Sequence, residues 1–177
     1  MTTTHRTGIA LAAIAVVAAG AAFVLLPRTT PTDPAARDAA WFARACAARD
    51  TIDAERTPAA TRALDFDLRH AADGTVLRSV TLAHLDALEV RLTPLLALLD
   101  EPALPAAVEA NGPAIAAART KRTAARIAVV GADPNADIID ALTGNAIYEA
   151  EEAEDELLAV ACSPQVRSEL RPSANRP

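Results

Sequence analysis

Between Arg6 and Arg28 no residue carries a charge. From Gly8 to Leu26 the run GIALAAIAVVAAGAAFVLL holds no strongly polar side chain either. As a helix rising about 1.5 Å per residue, this stretch reaches about 28 Å, close to the thickness of a bilayer's hydrocarbon core. An export signal's apolar region is shorter, about 7–15 residues. The most hydrophobic cluster here, Phe23 to Leu26, also lies at the far end. Residues 8–27 therefore read as a transmembrane signal-anchor, with residues 8–26 as the contact with the membrane.

Two alternatives compete with that reading. Cleavage after Ala21, in Ala19-Gly20-Ala21, would release a secreted body with Phe23–Leu26 near a bare terminus. A buried core helix would show its apolar residues along one face, whereas here they run all round. Arg6 and the α-amino group precede the span and Arg28 follows it. The positive-inside rule then gives a slight preference for residues 1–7 in the cytoplasm and the body outside.

The remainder is an alanine-rich chain. Alanine supplies 45 of 177 residues, and aromatics make up only 3%. Alanine is the strongest helix former but buries little area, so the expected core is thin and its helices closely packed. Strand-favouring residues are sparse beyond the N-terminus. The fold class that follows is all-α, a small bundle of about four to five helices over residues 34–163. A linker at 28–33 precedes it and a partly disordered tail at 164–177 follows.

Start and stop signals divide the body. Asp33-Pro34 and Thr57-Pro58 each pair an N-cap with proline at the first helical position. Between them Trp41, Ala45, Ala48 and Ile52 form a stripe, flanked by Phe42 and Cys46. Residues 63–82 allow two readings. Ala60, Ala63, Leu64, Leu68 and Ala71 make a helical stripe that stops at Asp73-Gly74. Leu64, Phe66 and Leu68 also alternate ahead of a hairpin-type Asp-Gly. The clear 3.6-residue stripe that follows (Leu77, Val80, Thr81, His84, Leu85, Leu88, Leu92) favours helix, stop, helix. Pro94, Pro102 and Pro105 are expected to break the next stretch into short pieces. Asn111-Gly112-Pro113 starts a helix running to about Val130, and Asp133-Pro134 caps a last one that runs to Cys162 and bends near Gly144-Asn145. RIAVVGAD (126–133) resembles a strand and phosphate-binding turn, but only one glycine follows and the preceding residues are strongly helical.

Cys46 and Cys162 are the only cysteines. In an exported body they reach a compartment where disulfides persist, so a Cys46–Cys162 bridge is expected.

The chain carries 17 basic and 23 acidic groups. Without residues 1–27, which hold Arg6 and no acid, it stands at −7. Such a body is repelled by nucleic acid, and interleaved aromatics for base stacking are absent. Arg119, Lys121, Arg122 and Arg126 form a candidate docking patch for an acidic partner. Their competing role is an internal match to the acidic helix 149–156. In that helix Ala146, Ala150, Ala153, Leu157 and Ala161 make the buried stripe. Glu149, Glu152, Asp155 and Glu156 are left on an acidic face, with Glu151 and Glu154 completing the run. No Glu-x-x-His pair or turn of convergent oxygens points to a metal, and no cofactor is expected. His84 lies on an apolar stripe, and neither it nor His70 has an evident nucleophile partner.

The functional reading is a membrane-anchored, extracytoplasmic interaction module without enzymatic activity. It would contact another envelope protein or itself. The alternative is an exported carrier that holds a small apolar ligand between helices.

Overall fold

The structure, a computed structural model, describes residues 33–163 and residue 166. All of them belong to one compact unit, Pro31–Pro177. The segment 8–27 lies outside the described residues, and no helix among the described residues is long and apolar enough to cross a membrane.

Six helices and no strand are present among the described residues: α1 (Pro34–Glu55), α2 (Pro58–Arg69), α3 (Gly74–Leu99), α4 (Ala106–Glu109), α5 (Gly112–Gly131) and α6 (Ile139–Ala161). The bundle is thus all-helical as expected, with one helix more than the upper expected number because a single turn, α4, sits between two prolines' worth of loop and Asn111. The first three helices begin on side-chain caps. Asp33 accepts from the Ala35 amide at 3.0 Å, Thr57 from Ala60 at 3.1 Å and Asp73 from Val76 at 2.9 Å. Each cap pairs an amide that helix geometry leaves without a partner. The hairpin alternative for 63–82 and the strand resemblance of 126–133 both give way to helix.

Pro102 and Pro105 interrupt the chain as expected, between α3 and the single turn α4, whereas Pro94 does not. Pro94 lies inside α3, where it removes one backbone donor. Leu92, Leu95, Leu98 and Leu99 are all buried around it, so burial on both sides outweighs the lost bond and α3 runs through. The last helix also starts later than Asp133-Pro134, at Ile139. Asp133 instead accepts from the Asn135 amide at 2.9 Å and closes a turn. No break occurs at Gly144-Asn145.

α6 is the centre of the bundle, packed against α5, α3 and α1, while α2 packs on α3. One core joins Trp41, Ala45 and Ile52 of α1 to Leu92–Leu99 of α3 and to Ala153, Leu157, Leu158 and Ala161 of α6. A smaller core joins Leu85 and Leu88 to Ala125, Val129, Ala146 and Ala150. Ala45, Ala118, Ala153 and Ala161 are completely buried, which is how alanine-rich helices approach closely. Trp41 fixes α1 by donating its indole N–H to the Leu98 carbonyl at 3.3 Å. Cys46 and Cys162 form a disulfide, with Cα atoms 5.1 Å apart, that ties α1 to the end of α6. The stripe proposed for α2 is a correction: α2 buries none of its residues, and only Leu64 and Leu68 are half-covered.

Gly74 is required by space. A Cβ there would stand 1.9 Å from the Pro134 carbonyl oxygen and 3.3 Å from Ile139 Cγ2, so backbone would have to move. Gly131, at the end of α5, has nothing within 4 Å of its Cβ position. Gly74→Ala is therefore expected to cost about 1–3 kcal/mol, the range for overpacking. Gly131→Ala should be neutral or stabilise by up to about 1 kcal/mol through helix propensity. Urea unfolding midpoints of the two variants check the opposite signs.

Candidate functional site

A cleft of about 380 Å³ opens between the end of α1 (Glu55, Arg56), α2 (Ala60, Thr61, Leu64), α3 (His84, Ala87, Arg91) and α6 (Glu151, Asp155). Its position follows from the packing. α2 rests on α3 without burying a residue, so the space between α2 and α6 stays open.

Glu154 of α6, the one fully buried charged side chain among the described residues, ties these elements together. Arg91 donates to it through Nε to Oε1 at 2.9 Å and through Nη2 to Oε2 at 2.7 Å. Arg56 adds Nη2 to Oε2 at 2.8 Å, and its Nη1 donates to Asp155 Oδ1 at 2.5 Å. Planar guanidinium against carboxylate is the geometry that best offsets the cost of burying charge. Burial alone would lower the Arg56 pKa. Its hydrogen bonds to Glu154 and Asp155, with their negative charge, outweigh that and hold it above its ordinary value.

Beside the cluster His84 Nε2 donates to Glu151 Oε1 at 3.1 Å. That hydrogen bond holds the Glu151 carboxyl below its ordinary range. Burial opposes the shift, and the charges of His84, Arg56 and Arg91 reinforce it. A carboxyl whose folded pKa is depressed stabilises the fold above its unfolded pKa of about 4.3. That contribution disappears as pH falls through the lower folded value. The stability gap between the native chain and Glu151→Gln should accordingly be present above the unfolded pKa of about 4.3 and shrink as pH falls below it. Thermal melts on both sides of that pH check it.

The acidic run divides by helix period into three directions. Glu149, Glu152 and Glu156 converge on Lys121 of α5, at 3.8, 2.9 and 3.2 Å. The hydrogen bonds to Glu152 and Glu156 raise the Lys121 pKa above its ordinary value. Glu151 and Asp155 point the other way, into the cleft, and Glu154 points inward. Of the proposed acidic face, Glu149, Glu152 and Glu156 therefore share one side, and Asp155 departs from it toward Arg56. Among the described residues no group of three or more His, Cys, Asp or Glu could hold a metal ion.

The proposed docking patch is engaged inside the molecule. The internal match with 149–156 holds for Lys121 alone. Arg119 pairs with Asp100 at 2.8 Å, Arg122 with Glu89 and Arg126 with Asp86. These three bridges form a ladder between α5 and α3. With its cations turned to α3 and α6, α5 leaves Thr120, Thr123, Ile127 and Val130 exposed on an uncharged outer side.

Sequence reasoning missed Glu154, Arg56 and Arg91. The signal for Glu154 was present, because it falls four residues after Ala150 and eight after Ala146, on the buried stripe itself. Comparison with family models, with curated proteins and with solved structures finds no match to this chain.

Proposed function

We propose that the chain is a membrane-anchored interaction module whose helical body lies outside the cytoplasm and acts by binding a protein partner rather than by catalysis. The observation that carries this reading is the cleft. It is open to a partner and rigid at its floor, where Glu154 satisfies two guanidiniums. One wall is lightly held, because α2 packs mainly on α3 and buries no residue. Surfaces that recognise partners combine a preformed base with a few placed polar groups.

Two features support the location. The uncharged stretch of residues 8–26 has the length of a span, and the Cys46–Cys162 bridge is of the kind that persists in oxidising compartments. The carrier alternative finds less support here. Six of the ten residues lining the cleft are ionisable, which suits an apolar ligand poorly.

The test is a photoreactive amino acid placed at Ala87 in the full chain, irradiated in intact cells, with the membrane fraction then extracted by carbonate. The reading expects a protein adduct in the carbonate-resistant fraction. An irradiated chain without any protein adduct, or one released as a soluble form starting at or after Ala22, contradicts it.

A further inference from the structure

The charges around the cleft do not balance. Glu55, Glu151 and Asp155 line the cleft and Glu154 is buried behind it, so four carboxylates face two guanidiniums, Arg56 and Arg91, and the single imidazole of His84. Both guanidiniums are held by Glu154, so the excess falls on the carboxylates at the mouth. Glu55 has no ion-pair or hydrogen-bond partner for its carboxylate among the described residues. Asp155 and Glu151 each have one oxygen bonded, to Arg56 and to His84, and the other without a partner among the described residues. Ala60, Leu64 and Ala87 supply an uncharged wall opposite them. Among the described residues, Lys121, Arg119, Arg122 and Arg126 are engaged elsewhere, paired on the other side of α6 and across α5 and α3.

Resting on the reading of the chain as an interaction module, we infer that the cleft receives a basic segment of the partner protein. A lysine or arginine side chain would lie with its aliphatic stem along Leu64, Ala60 and Ala87 and its charged head between Glu55 and Glu151. Long basic side chains divide in this way, stem on apolar surface and head among polar groups. A volume of about 380 Å³ falls at the low end for binding pockets and admits one or two such side chains. The acidic body steers a basic segment toward the mouth. An anionic ligand would meet the same carboxylates as repulsion.

The test uses the full oxidised chain in nonionic detergent and fluorescence anisotropy of two labelled twelve-residue peptides, one of alternating Lys and Ala, the other of alternating Glu and Ala. The Lys peptide is expected to bind and to weaken at least tenfold in 0.5 M NaCl, while the Glu peptide does not bind. Glu55→Gln with Glu151→Gln should weaken the Lys peptide at least tenfold. Glu55→Gln alone, which breaks no bond in the fold, should weaken it about threefold. Glu109→Gln with Asp137→Asn, which removes two charges elsewhere, should leave it unchanged. Equal weakening by the two double variants, binding of the Glu peptide, or no binding of the Lys peptide overturns the inference. An adduct from Ala87 in cells that persists in the Glu55/Glu151 variant keeps the interaction reading while rejecting the basic occupant. No adduct at all rejects the interaction reading itself.

Discussion

Glu154→Ala is expected to destabilise the folded chain by about 3–5 kcal/mol, the range for removing one partner of a buried ion pair. The side chain is fully buried and receives three hydrogen bonds from two arginines, whose own side chains are 14% (Arg91) and 29% (Arg56) exposed. Its loss leaves two guanidiniums side by side, with Asp155 still bonded to Arg56 but no carboxylate hydrogen-bonded to Arg91, which keeps only the longer-range charge of Glu151. Replacing the whole cluster, Arg56→Met and Arg91→Met with Glu154→Leu, should be neutral or stabilising, since no buried charge is then stranded. Chemical denaturation of both variants reads the contrast. A Glu154→Ala cost below about 1 kcal/mol would mean that the cluster does not join α1, α3 and α6 as described.

Cys46→Ala with Cys162→Ala should cost about 2–5 kcal/mol, or a fall in Tm on the order of 10 °C. The bridge closes a loop of sequence separation 116. In chain-entropy models a loop that long restricts the unfolded chain by about 4–5 kcal/mol. The fold should survive, because α1 keeps the Trp41 bond to Leu98 and the Arg49 bond from Nη1 to the Cys162 carbonyl at 2.8 Å. Thermal melts with and without reductant check this, and the Cys-free variant should be insensitive to the reductant. For a core built largely from alanine, the bridge is a large fraction of the net stability.

Much of the fold was legible because helix periodicity and capping chemistry are local. Asp33-Pro34, Thr57-Pro58 and Asn111-Gly112-Pro113 mark helix starts that the structure contains. The stripes through Trp41, Leu85 and Ala153 are the buried faces. Pro94 was misleading for a non-local reason, since its local cost is overridden by leucines packed on both sides of it. The α2 stripe misled in the opposite sense: Ala60, Ala63 and Leu68 have helical spacing, but α2 lies on α3 so loosely that none of them is buried. The disulfide was legible from the cysteine count and an assumed compartment.

The charges were the hardest to read. Six acids within eight residues look like one face, but a rotation of 100° per residue sends Glu152, Glu154 and Asp155 in three directions. Which cation each one meets depends on helix crossing. Arg56, at the very end of α1, carries no pattern at all, and Arg122 meets Glu89 through a helix pairing that a single sequence does not announce.

We propose an exported body whose fold is closed by Cys46–Cys162 and whose cleft lies outside the cytoplasm. Alkylation of the full-length chain in cells tests this most directly. Cells are quenched in acid, denatured, and treated with a maleimide that adds mass to each thiol, with and without prior reduction. The account predicts no adduct before reduction and two after it. Two adducts before reduction would place the body in a reducing compartment and contradict the account.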